Sequence, residues 1–75
     1  MSEQMVRNYQ DKLNQLENKI IKAQLPGEDS QILRGIIESY REELGSFASY
    51  CPARQEDMLE RLDMDISIIG AHYRF

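Results

Sequence analysis

His72 and Cys51 are the side chains in this 75-residue sequence best suited to proton transfer, nucleophilic attack or soft-metal binding, and each residue type occurs once. A histidine acting as general base needs an orienting carboxylate, and one holding zinc needs further ligands at suitable spacing. Asp65, the nearest acidic residue, lies nearly two helical turns before His72, so the histidine reads as a structural or solvated side chain. A lone cysteine excludes an intrachain disulfide and a cysteine-rich zinc site. No histidine or basic cluster beside Cys51 favours its thiolate.

Carboxylates are the remaining candidates. Glu56, Asp57, Glu60, Asp63 and Asp65 form an acidic run that could hold a hard cation, yet the spacing makes neither an EF-hand loop nor a paired Glu-x-x-His motif. Acidic residues also complement the start of a helix, and Asp57 can pair with Arg61 at i,i+4. The run therefore reads as a solvated helix face, with an acidic rim for a basic partner as the other reading. Gly27, Gly35 and Gly45 are isolated, so there is no phosphate-cradling loop, and no nucleophile-elbow sequence occurs. The expectation is no catalytic residue, no cofactor, no metal and no enzyme, but a protein that binds another protein.

Composition narrows the partner. Nine Lys and Arg against thirteen Asp and Glu give a formal charge of −4, spread along the chain with no basic stripe. Phosphate backbones would be repelled, because nucleic-acid affinity rests largely on cationic contacts that displace counterions. No apolar run approaches the roughly 18 to 20 residues that span a bilayer, and no signal-peptide pattern opens the sequence. The expectation is no stable membrane insertion and a cytoplasmic location, where Cys51 stays reduced. A chain this short is near the size at which one core supplies only a few kcal/mol. With disulfide and metal excluded, a protein partner or self-association is the remaining aid.

The elements that carry these residues are helical. Tyr9, Leu13, Leu16 and Ile20 recur at spacings of four, three and four within a first helix over about 2–24, widened by Met5, Val6 and Ile21. Leu25-Pro26-Gly27 stops it, since a residue before proline is pushed out of the α region and glycine tolerates a left-handed cap. Asp29 or Ser30 then caps a second helix over about 30–49. Its stripe is Leu33, Ile37, Tyr40, Leu44, Phe47 and Cys51, with Ile32, Ile36 and Ala48 beside it. Gly35 and Gly45 each cost about 1 kcal/mol inside a helix, and Gly45 is the candidate for the true end. Pro52 suits the first turn of a third helix, over about 52–73, whose face is Leu59, Leu62, Ile66, Ile69 and Tyr73. The short connection makes helices two and three an antiparallel hairpin. The fold class expected is all-α: an antiparallel helical hairpin preceded by an additional N-terminal helix, three helices in one domain over 1–75.

At about 100° per residue, Met64, Ile68, Ala71 and Phe75 fall nearly opposite that third face. This second stripe either packs on the first helix as core or forms the partner-binding site.

Three stretches resemble the small helical-hairpin co-chaperones of type III secretion systems, the YscE, PscE and SsaE group. LNQLENKII (Leu13 to Ile21) is similar to the leading amphipathic turn, and RGIIESYREEL (Arg34 to Leu44) to the first long helix. LERLDMDISIIGAHYRF (Leu59 to Phe75) is similar to the final helix, where an acidic stretch gives way to Ile68-Ile69 and an aromatic, basic end. The resemblance covers about half the chain. It implies a cytoplasmic virulence-associated chaperone that joins a larger helical-repeat co-chaperone and keeps a needle or translocator subunit unpolymerised before export. The alternative from the residues is a self-associating helical regulator or adaptor of plasmid or phage type, closing its surface by symmetry. Circular dichroism should be strongly helical and indifferent to zinc or calcium; a clear rise in melting temperature with either metal would contradict the metal-free reading.

Overall fold

In the computed structural model of the protein, which describes residues 2–75 and leaves Met1 outside, three helices follow one another: α1 (Ser2–Ala23), α2 (Gly27–Gly45) and α3 (Pro52–Tyr73). A single 3₁₀ turn, Phe47–Ser49, lies between the last two, and no strand occurs among the described residues. A helix of 22 residues is about 33 Å long. The molecule measures 37 × 17 × 17 Å, so the helices share one long axis.

Contact order gives their directions. Asp29 lies beside Tyr73, the Tyr40 hydroxyl donates to Asp65 and Arg61 pairs with Glu43 at 3.3 Å. Numbers therefore rise along α2 as they fall along α3, an order compatible with the expected hairpin. Lys12 meets Asp63 at 3.2 Å, and farther along Leu16 and Lys19 share a groove with Ile66 and Gly70, so α1 and α3 run the same way. The most extensive backbone approach is between α1 and α2.

The core draws on all three helices. Leu13, Leu16 and Ile20 of α1 are buried, as are Leu33, Ile37, Tyr40 and Leu44 of α2 and Phe47 of the 3₁₀ turn. These are the stripes expected from the spacing, with two departures: Tyr9 is only half-buried at the edge of the core, and Cys51 is exposed, because α2 stops at Gly45 and the chain has left its helical path before Cys51. On α3 the core residues are Met58, Leu62 and Ile69. The expected Leu59, Ile66 and Tyr73 are only half-buried, so the inward face is turned toward Met58.

The ends of the helices differ from expectation in informative ways. α1 terminates on Gln24, which takes the left-handed conformation with φ of 51°, whereas Gly27 has no positive φ and belongs to α2. Pro26 forces the difference: Leu25 must be extended before it, so the left-handed residue that ends α1 falls earlier, on Gln24. α2 starts at Gly27 rather than near Ser30. Pro26 occupies the cap position, no side chain caps the helix, and the Pro26 carbonyl accepts the first helical bond from Ser30 N–H at 3.0 Å. Neither Asp29 nor Ser30 is the cap; Glu28 and Asp29 instead sit in the first turn, where they complement the dipole. Pro52 takes the first position of α3 as expected, and Gln55 Nε2 donates to the Phe47 carbonyl at 2.8 Å, holding the connection against that helix.

Leu62→Ala removes a fully buried side chain and should cost roughly 2 to 5 kcal/mol in denaturant unfolding. Ile66→Ala, at a half-buried position, should cost distinctly less; equal losses would show that the inward face of α3 is centred elsewhere.

Candidate functional site

The acidic run on α3 is partly consumed in holding the helices together. Tyr9 Oη donates to Asp63 Oδ2 at 2.8 Å while Lys12 Nζ reaches Asp63 Oδ1 at 3.2 Å, tying α1 to α3. Tyr40 Oη donates to Asp65, tying α2 to α3. The expected Asp57–Arg61 pair is present at 3.5 Å, with Glu43 as the second acceptor of that arginine. Between α1 and α2, Arg41 donates to Glu17 and to Asn14, both at 2.8 Å, and to Glu38 at 2.6 Å on its own helix. Asp63 and Asp65 are thus acceptors for particular phenols, leaving Glu56, Asp57 and Glu60 as the exposed part of the run.

Electrostatics follow this geometry. Burial, then the Asp65 hydrogen bond and charge, pushes the Tyr40 phenol up to about 12. Burial and Asp63 raise Tyr9, and burial with Asp29 raises Tyr73. The Arg41 hydrogen bond holds the Glu17 carboxyl below the usual glutamate range.

His72 is exposed and meets the edge of the Tyr73 ring, centroids 4.7 Å apart. Cys51 is exposed at the start of α3. Among the described residues no group of three or more His, Cys, Asp or Glu side chains is placed to hold a metal ion. No described helix is long and apolar enough to cross a membrane.

Met64 and Ile68 stand on the outer face of α3, 61% and 57% exposed, with Ala71 also exposed beside them. Phe75 has left that stripe. α3 ends at Tyr73, Arg74 turns left-handed with φ of 59°, and Phe75 N–H returns to the Gly70 carbonyl at 2.9 Å. This is the six-to-one bond of a Schellman ending. The reversal stacks Phe75 on Tyr73 at 5.6 Å and sets it in the groove between α1 and α3, near Leu16 and Ile66. The angular rule that put Phe75 beside Ile68 applies only inside a helix. That groove has a volume of about 420 Å³; Lys12 on its wall is already paired with Asp63, and no polar side chain is buried among the described residues.

Three further apolar side chains are exposed: Met5, Ile21 and Ile32. Ile32, 59% exposed, was legible only as a neighbour of the α2 stripe. Its position relative to α3 depends on how the two helices are registered.

No protein-family model, curated protein or solved structure matches the chain.

Tyr40 supplies a pH test. A phenol raised in the fold above its ordinary value of 10.0 contributes stability that is complete below that value and lost as pH rises toward about 12. Tyr40→Phe should lower stability at neutral pH by up to about 2 kcal/mol and flatten the alkaline loss. An unchanged alkaline limb in pH-dependent unfolding would remove the Tyr40–Asp65 bond as its source.

Proposed function

We propose that this protein acts by binding other proteins, as a small cytoplasmic co-chaperone of the type III secretion kind. In that role it joins a larger helical-repeat co-chaperone and keeps a needle or translocator subunit from polymerising before export. The observation that carries the binding reading is the pair Met64 and Ile68, each more than half exposed on α3 although the core has closed around Met58 and Leu62. Apolar surface left outside a completed core gains free energy when another surface covers it, roughly 1.5 to 3 kcal/mol per large side chain before association costs. The acidic residues Glu56, Asp57 and Glu60 lie N-terminal to that pair on the same helix, and their charge would help to steer a basic partner.

The co-chaperone assignment is supported by the resemblance of the second and third helices to the secretion co-chaperones and by an all-helical chain whose helices share one long axis. The hairpin of α2 and α3 is the unit that presents the binding face; α1 covers its other side. Catalysis has no part in this reading, since the titratable side chains are engaged with one another or lie apart at the surface.

Co-expression with a helical-repeat co-chaperone and a needle subunit tests the proposal. A soluble three-component complex is expected, with needle polymerisation suppressed, and Ile68→Ser should release the protein from it while leaving the melting temperature unchanged. Needle polymerisation that proceeds at the same rate with and without the protein would defeat the co-chaperone reading.

A further inference from the structure

The seam between α2 and α3 has polar ends and an apolar middle. Asp29 beside Tyr73 closes one end, and Tyr40–Asp65 with Glu43–Arg61 closes the other. Between these contacts, helical spacing carries the α2 row Asp29, Ile32, Ile36, Tyr40 and Glu43 against the α3 row Arg61, Asp65, Ile68 and His72. The α2 row is anchored at both ends of the seam and the α3 row at Arg61 and Asp65, so helical spacing sets Ile32 and Ile36 toward the same seam as Ile68. Ile36 is half-buried there, while Ile32 and Ile68 remain 59% and 57% exposed. Met64 and Ala71 border the seam on α3, and Gly35 and Ser39, both exposed, border it on α2.

Gly35 has no internal purpose in this arrangement. A Cβ built there meets nothing within 4 Å, and its φ is not positive. Glycine in an exposed helix interior is unfavourable relative to alanine, but it admits the backbone of a neighbouring element.

We infer that the α2–α3 seam, Ile32, Ile36, Ile68 and Met64 with Gly35 as its low wall, is a docking groove for one basic amphipathic helix of a partner protein. The inference rests on the reading of α3 as a binding face and extends that face onto α2. Area selects a single helix. Three large side chains more than half exposed present apolar surface on the order of 300 Å², the scale of a docking patch on a monomer. A stable dimer buries about 800 Å² per partner, so a second copy is poorly served by this surface. Charge selects a basic occupant. Glu28 and Asp29 stand at one end of the seam and Asp57 and Glu60 at the other, while Arg61 is already held by Glu43 and Asp57. Asp29 and Asp57 are shared with Tyr73 and Arg61, so an incoming basic helix meets Glu28 at one end and Glu60 at the other.

The probe is a fluorescein-labelled peptide of about 18 residues, long enough for several helical turns, with leucines at i, i+3, i+4 and i+7 flanked by lysines. Its control carries glutamates in place of the lysines. Anisotropy should show binding of the basic peptide, at least about tenfold weaker binding of the acidic one, and weakening by added salt. Ile32→Ser with Ile68→Ser should reduce binding at least about tenfold with an unchanged melting temperature, since both side chains are exposed. Gly35→Leu should reduce binding while the melting temperature holds or rises. Equal binding of the two peptides, or binding unchanged in the double variant, overturns the groove. So does a concentration-dependent dimer that the double variant abolishes, which would give the seam to a second copy. Suppression of needle polymerisation without uptake of the basic peptide overturns the groove and leaves the co-chaperone reading standing. Peptide uptake without any effect on needle polymerisation does the reverse.

Discussion

Two packed helices leave an open furrow on each side, so Met58 and Leu62 reach complete burial because a third helix closes over them. That closure organises the rest of the molecule. In it α1 and α3 run side by side in the same direction with α2 antiparallel to both, and it uses nearly every large apolar side chain at a core-facing position. In a chain of this size the balance between apolar burial and lost conformational freedom is narrow. Few side chains can be left outside without consequence, and those that are left outside are therefore informative.

Polar contacts at the edge of the core set the register of that closure. Each helix pair has its own: Tyr9 and Lys12 on Asp63, Tyr40 on Asp65, and Arg41 on Glu17 and Asn14. Apolar side chains tolerate a slip of one helical turn far better than a directed hydrogen bond does. A shift of about 5.4 Å would part each phenol from its carboxylate. These carboxylates, which in isolation suggest a cation site, serve as the register marks of a bundle.

How far this was legible depends on the residue. The stripes of α1 and α2 were plain, because Leu13, Leu16 and Ile20, and Leu33, Ile37, Tyr40 and Leu44, repeat at helical spacing in segments with clear breakers at their ends. Met58 was hidden by Asp65. The inward row on α3 is Met58, Leu62, Asp65 and Ile69, and an aspartate in third place breaks the apolar pattern that would have revealed it; only the phenol of Tyr40 on another helix explains why a carboxylate sits there. The left-handed turn at Gln24 was masked by Gly27, which carries the usual signal for that conformation three residues too late. Phe75 was misplaced by extending a helix past its end. For the candidate surface, the outward placement of Met64 and Ile68 follows from the angle each makes with the core face. Its continuation onto Ile32 and Ile36 needs the relative register of two helices, which no local pattern encodes.

Cys51 is the sole thiol, and it lies in the connection after α2, at the pole of the molecule remote from the Leu25–Pro26 turn. The apolar middle of the α2–α3 seam is in the half nearer that turn. Oxidation that couples two copies through Cys51 therefore joins them pole to pole and leaves both seams uncovered. The same geometry makes the thiol a natural attachment point for a spectroscopic label, one per molecule and at one end of a 37 Å rod. There it can report tumbling or distance from outside the apolar middle of the seam.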